Sequence, residues 1–266
     1  MSRYLTHGGR IHTWSLEAHP VDHCNLSCEN CCQLSPGAPE AFVEPESLAT
    51  DLARLAPLLA PRVLKLTGGE PLLHPRIAEL AEIARASNIA SAVQITTNGV
   101  LFAKAPDARL AAVDRVKVSW YTSAPLAEAV IDRIAARCRE HGVELEIREH
   151  ARFQRLDPPE LVRDEAWAAR AFAGCWIRDR CHTVHRGRFY TCSRPPHLGP
   201  HLAARGVPNR LAGDDGVALD DPDLQSRLQA YLSRGEPLAS FRSCLGNEGE
   251  WTAHAQRPPH RRLPIA

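Results

Sequence analysis

Cys24-Asn25-Leu26-Ser27-Cys28-Glu29-Asn30-Cys31 holds three thiols, with three and then two residues between them, and Cys32 follows at once. A cubane iron–sulfur cluster contains four irons and is ordinarily held by four thiolates on closely spaced cysteines. Three ligands leave one iron open. An open, electron-rich iron can bind a small chelating molecule and pass it an electron. The triplet alone leaves two other readings level with this one. One is half of a zinc site, completed by His23 or a distant residue. The other is a closed cluster completed by a remote cysteine.

Two further stretches bear on the choice. Leu66-Thr67-Gly68-Gly69-Glu70-Pro71 follows about forty residues later, at the end of a predicted strand, and Ile95-Thr96-Thr97-Asn98-Gly99 comes next. Together with the cysteine loop, these segments resemble the radical SAM superfamily, over the first two thirds of the chain. The resemblance implies that Cys24, Cys28 and Cys31 hold a 4Fe–4S cluster whose open iron chelates S-adenosyl-L-methionine. It implies that Gly68, Gly69 and Glu70 hold the methionyl amino group. Asn98 and Ser119 become candidates for ribose and carboxylate contacts. The residue before the third cysteine is often aromatic in the family and lies against adenine; here it is Asn30. Flavodoxin or ferredoxin is the implied reductant.

Composition agrees with a soluble enzyme. The chain has 266 residues, enough for one large domain and a small one, and 44% are hydrophobic. The formal net charge is +1 with no basic stripe, which disfavours nucleic acid as a partner. Nine cysteines, mostly in two groups, without a signal segment read as metal ligands in a reducing compartment. No apolar run approaches membrane-spanning length. The cytoplasm is the expected location, with no membrane partner.

The pattern from Thr13 alternates strand and helix. Thr13–His19 reads as a strand, with Trp14, Leu16 and Ala18 toward helices and Ser15, Glu17 and His19 toward a lumen. Helix is expected over Glu44–Leu59, Pro75–Ser87, Lys104–Ala112 and Leu126–His141, and strand over Arg62–Thr67, Ala92–Thr97, Val116–Trp120 and Val143–Arg148. This beat implies a parallel sheet with right-handed crossovers. The expected fold class is α/β: a partial (β/α)6 TIM barrel, the radical SAM core by resemblance, over residues 1–172. The first strand near Thr13 leaves no room ahead of it for a leader-peptide domain.

Around Gly174 the pattern changes. Cys175, Cys181 and Cys192 fall close together, His182–Tyr190 reads as a hairpin turning near Arg186-Gly187-Arg188, and Cys244 follows later. Ser193–Asp215 reads as loop, Asp223–Ser233 as a short helix and Gln256–Ala266 as a frayed end. Cys175, Gly187 with Cys192 five beyond it, and Cys244 resemble the auxiliary-cluster region called SPASM, or its shortened form, twitch. Residues 173–266 are thus expected to form a small domain with one auxiliary 4Fe–4S cluster. The family often has a Cys-x2-Cys pair near the end; here the first position holds Phe241, so Cys181 is the expected fourth ligand. A zinc ribbon is the alternative, though five-residue spacing is wide for one.

By this resemblance the protein generates a 5′-deoxyadenosyl radical that removes hydrogen from a substrate carbon. The short chain with one small cluster domain resembles the aminocyclitol dehydrogenase and neomycin epimerase type of enzyme. The expected substrate is a saccharide or an aminocyclitol or aminoglycoside intermediate. The expected outcome is epimerisation, with Cys181 returning hydrogen if it is not a ligand. Alternatives are oxidation of an alcohol to a ketone, modification of a peptide, and a non-catalytic iron–sulfur or zinc protein. Glu17 is expected to pair with a substrate ammonium, and Arg148 or Arg152 to fix a hydroxyl or carboxylate. Cys138 reads as a buried structural thiol, and Cys32 as a surplus one. His182 and His185 read as hairpin surface.

Overall fold

The strand that feeds the cysteine loop lies near the middle of the sheet. β1 (Thr6–His7) turns back through Gly8 and Gly9 into β2 (Arg10–Val21), its antiparallel partner. The computed structural model describes residues 4–207 and 215–257. There follow α1 (Pro45–Leu55), β3 (Leu59–Gly68), α2 (Ile77–Ala86), β4 (Val93–Thr97), β5 (Arg115–Tyr121), α3 (Glu128–Glu140) and β6 (Glu144–His150). β2 to β6 lie side by side in chain order, all parallel. The α/β architecture with a parallel sheet expected from the sequence is the observed one.

The core lies between this sheet and its helices. α1 begins with Pro45, whose missing N–H costs nothing in the first turn. Its buried Leu48, Leu52 and Leu55 recur at helical spacing and meet Leu64 and Leu66 of β3. Each such side chain stabilises the fold by roughly 1.5–3 kcal/mol. Cys138 is buried in α3, as expected. Trp14 departs from its expected core position. It is half-exposed near the start of β2, between the guanidinium groups of Arg62 and Arg180. Strand alternation predicts a face, but only the covered length of that face is buried.

The β4–β5 crossover also differs from expectation: Asp107–Ala112 is a 3₁₀ turn, not an α-helix over Lys104–Ala112. Buried Arg109 explains it. Its guanidinium donates to the carbonyls of Ala105 and Phe102 and lies 4.3 Å from the Phe102 ring. A side chain thus satisfies carbonyls that a helical ladder would otherwise use.

The later chain adds to the same sheet. β7 (Arg152–Gln154) and α4 (Glu165–Gly174) come first; the domain division expected at residue 172 falls inside α4. β8 (Cys181–His185) then pairs parallel with β2, on the edge opposite β3. β9 (Arg188–Tyr190) completes the expected hairpin, with Arg186 and Gly187 both at positive φ, as a two-residue turn of this kind requires. α5 (Pro195–Ala203), β10 (Val217–Ala218), α6 (Leu224–Ser233) and β11 (Trp251–Ala253) follow, with β10 on β9 and β11 on β7.

α5 corrects the loop expected over Ser193–Asp215, of which residues 208–214 lie outside the described residues. Its first-turn prolines need no N–H partner, and Leu198 and Leu202 bury themselves against Leu34. His182 and His185 are likewise buried, not hairpin surface: His182 packs against Tyr4 and Phe189, and His185 against His19 of β2 and His197 of α5. Among the described residues, no helix is long and apolar enough to cross a membrane.

Candidate active site

The cysteine loop leaves the C-terminal end of β2 and runs directly over Gly68 and Gly69. Gly69 N–H donates to Val21 O and Glu70 N–H to His23 O. A Cβ on Gly69 would stand 1.8 Å from His23 O, and one on Gly68 would stand 2.7 Å from Val21 O, with Gly68 at φ +107°. The glycine pair therefore lets two backbones touch where the first thiol is presented.

Glu70 braces the same point from beneath. Its buried carboxylate accepts from Leu72 N at 3.0 Å, Thr97 Oγ1 at 2.7 Å and Asn98 N at 2.8 Å. Burial pushes its pKa up to about 7, with those donors pulling the other way. Asn98 in turn donates from Nδ2 to Asn25 Oδ1 at 2.7 Å. The ends of β3 and β4 are thus tied to each other and to the cysteine loop.

Cys24, Cys28 and Cys31 are brought together. Burial raises the pKa of Cys24, and Glu70 and the other two thiols add to the rise. Burial pushes Cys28 up to about 11, against the pull of a hydrogen bond from Gln256. One buried and two half-buried thiols form a set whose thiolates, brought together, would call for a cationic metal group. Amide donors already aim at the sulfurs: Leu26 N lies 3.4 Å from Cys24 Sγ, and Gln256 Nε2 3.1 Å from Cys28 Sγ. N–H donors to sulfur are a feature of iron–sulfur sites, and the donor set fits such a group. His23, which could complete a zinc site, uses its Nδ1 to accept from Ala41 N.

Gln256 and Arg257, expected to fray, are bonded over the loop. Ser27 N donates to Gln256 Oε1, Glu29 N to Ala255 O, and Arg257 N to Ser27 O. Residues 258–266 lie outside the described residues. Asn30 sits at φ +57° and donates to Thr252 Oγ1 on β11. The aromatic surface near the loop comes instead from Tyr121 and His254, stacked at 4.6 Å. Burial raises the Tyr121 pKa, and Cys28, Cys31 and Cys24 raise it further; Ala255, next to His254, accepts from Glu29 N of the loop. Sequence reading missed both rings; Tyr121 carries a signal only as the last residue of β5. Ser119, also buried on β5, hydrogen-bonds Tyr121.

Ser15, Glu17 and His19 lie on the β2 face away from the helices, with Cys181, Thr183 and His185 across from them on β8. Glu17 Oε1 accepts from Lys65 Nζ at 3.2 Å, and His19 Nε2 lies 4.0 Å from its other oxygen. Burial opposes its ionisation, yet His19 and Lys65 together hold its carboxyl below the usual range. Its charge is thus already met within the protein. Cys32 is solvent-exposed yet interacts with Cys31, Glu17 and Cys181. Arg148 is exposed on β6, in register with Ser119, and exposed Arg152 donates to Trp251 O. A cleft beside Cys28 and Cys31 is bordered by Arg194, His201, Arg257 and Asp157.

The second cysteine group also converges. Cys192 feels Cys175, Cys244 and Cys181, in that order, on top of its burial. Three of the four share a local geometry: the backbone N–H two residues on meets the sulfur. The pairs are Ile177 with Cys175, Arg194 with Cys192 and Gly246 with Cys244. Leu26 and Cys24 repeat it in the first group. Cys181 lies within β8 instead, and after burial, which pushes it up to about 12, its largest influences are Glu17 and Lys65.

A family model described as Radical SAM superfamily matches residues 19–156, just over half of the chain. The GTP 3′,8-cyclase of Chlorobaculum tepidum is 43% identical over 103 residues, 37% of this chain and 30% of that protein. The molybdenum cofactor biosynthesis protein 1 of Bos taurus is 30% identical over 128 residues, 47% of this chain and 20% of that protein. The chain spans less than a third of the length of these curated relatives. Among solved structures, BtrN in complex with AdoMet and 2-DOIA aligns over 84% of this chain and 88% of its own, at 14% identity and a TM-score of 0.49.

Proposed function

The chain belongs to the radical SAM superfamily, and on that premise we propose that it abstracts hydrogen from a carbon of a saccharide or aminocyclitol-type substrate and epimerises that carbon by hydrogen return from Cys181. When bound, the cluster on Cys24, Cys28 and Cys31 and its S-adenosylmethionine supply a 5′-deoxyadenosyl radical. The chain's own groups do the rest. Gly68, Gly69 and the Glu70–Asn98 brace fix the cysteine loop and form one wall for the nucleoside, with Ser119 and Tyr121 on another. The Glu17–Lys65 pair offers a neutral, hydrogen-bonding lumen surface suited to hydroxyl groups, and Arg148 lines its β6 side.

The observation that carries the outcome is the difference between Cys181 and its neighbours. Cys175, Cys192 and Cys244 have the backbone donor that a metal-bound sulfur uses; Cys181 has Glu17 and Lys65. These three are proposed to hold an auxiliary 4Fe–4S cluster, which would pass one electron from the flavodoxin or ferredoxin reductant, together with a solvent proton, to the Cys181 thiyl left after hydrogen return. A Cys181 that is not a ligand would be present as S–H, the form that can give up a hydrogen atom. Were Cys181 the fourth ligand instead, oxidation to a ketone would be the outcome.

The test is anaerobic turnover with candidate aminoglycosides in deuterated water. One solvent deuterium on an inverted carbon is expected, and Cys181→Ser should abolish it while 5′-deoxyadenosine still forms. A product two daltons lighter would contradict inversion. A second reading, a nucleotide substrate, is favoured by the names of the cyclase relatives. 5′-Deoxyadenosine formation dependent on GTP would select it.

A further inference from the structure

β2, β8 and α5 meet in a polar cluster that takes no part in the cysteine chemistry. Asp22, His185 and His197 are all buried, and each offers one ligand atom, all within 4.8 Å of one another. His19 lies against them, stacked on His197 at 5.2 Å and 5.9 Å from His185 between ring centroids. Three imidazoles and a carboxylate in a protein interior need a reason, because each buried polar atom left unpaired costs free energy. Asp22 Oδ1 and His185 Nδ1 have no hydrogen-bond partner among the described residues, and the approach nearest to a pairing is His185 Nε2, 3.5 Å from Asp22 Oδ1.

We propose that Asp22, His185 and His197, oriented by His19, bind a divalent transition-metal ion of the zinc type. Two imidazoles and a carboxylate are a common donor set for such ions, and the absence of a thiol separates this site from the cysteine sites. The surrounding contacts have the character of an outer shell. Asp22 Oδ2 accepts from Arg186 Nη2 at 2.9 Å, while Oδ1 stands 3.5 Å from His185 Nε2, a spacing at which both atoms could ligate one ion. His19 Nδ1 and His197 Nε2 are 2.9 Å apart. With His197 donating from Nε2, its Nδ1 keeps a lone pair. His19 then carries its proton on Nε2, the atom 4.0 Å from Glu17 Oε2. A carboxylate, a bridging imidazole and a ligand imidazole in line are the arrangement that fixes a ligand's tautomer. Burial, then the neighbouring imidazoles, keeps His185 and His197 neutral, the form that ligates. A small cavity bordered by His19, His185 and Arg186 adjoins the cluster.

The experiment uses the anaerobically reconstituted holoenzyme, with its cysteine sites filled. It is incubated with zinc sulfate and gel-filtered, and zinc, iron and sulfide are measured per chain. Wild type should retain one zinc. His185→Gln and His197→Gln should retain roughly tenfold less or worse, with iron and sulfide unchanged. The zinc-edge absorption spectrum of the wild type should show a shell of nitrogen and oxygen only. No zinc on the wild type, equal zinc on the variants, or sulfur in that shell would each overturn the site. If a variant loses iron as well, the wild-type zinc content and spectrum decide alone.

Discussion

Gly69 shows how much one missing Cβ can carry. Its neighbour is a backbone carbonyl, His23 O, which cannot swing aside as a side chain would. Gly69→Ala should therefore displace the start of the cysteine loop, and iron bound after reconstitution should fall several-fold. Gly174→Ala, where a Cβ meets nothing within 4 Å, should bind iron as wild type does. Equal iron in both variants would show that the loop tolerates the shift. At this scale the sequence was legible where chemistry is local. Cys24, Cys28 and Cys31 announce themselves by spacing, and Gly68-Gly69 by its place after a strand. The partners that complete the site do not. Asn25 and Asn98 are 73 residues apart, and Cys28 and Gln256 are 228 apart. Nothing in either local pattern names the other.

Among the elements, α5 was the least legible. Its prolines read as loop, and its stability comes from contacts made elsewhere in the chain. Leu198 and Leu202 bury against Leu34, while Arg194, His201 and Arg205 close on Asp157. Burial opposes the Asp157 charge, but His201 and Arg194 outweigh it and hold the carboxyl well below its ordinary range. A depressed folded pKa means that this stability is present above the unfolded value, near 3.9. It is lost as pH falls through the folded value. Asp157→Asn should cost roughly 3 kcal/mol at neutral pH, because it leaves Arg194 buried without its partner. It should also flatten the acid limb of a denaturation series taken from pH 5 downward. An unchanged acid limb would mean that the ion cluster does not anchor the helix. β8 teaches the same lesson: its hairpin was readable from Arg186-Gly187, but its place beside β2, with His182 and His185 buried, was not.

For the whole molecule, the alternation of strand and crossover from β2 to β6 was legible because each unit is local and periodic. The closing of the later chain onto the β2 edge and over the cysteine loop was not, because it rests on contacts between distant residues. That closure sets β8, which carries Cys181, beside the β2 residues Ser15 and Glu17, with Cys32 of the cysteine loop near Glu17 and Cys181. The account depends on Cys24, Cys28 and Cys31 holding an iron–sulfur cluster with a corner open to S-adenosylmethionine. The most direct measurement is 5′-deoxyadenosine formed by the reconstituted, dithionite-reduced protein given S-adenosylmethionine, compared with the Cys24→Ala/Cys28→Ala/Cys31→Ala variant. The account predicts 5′-deoxyadenosine and methionine from the wild type and none from the variant. An iron-loaded wild type that leaves S-adenosylmethionine intact, or a variant that cleaves it equally well, would contradict it.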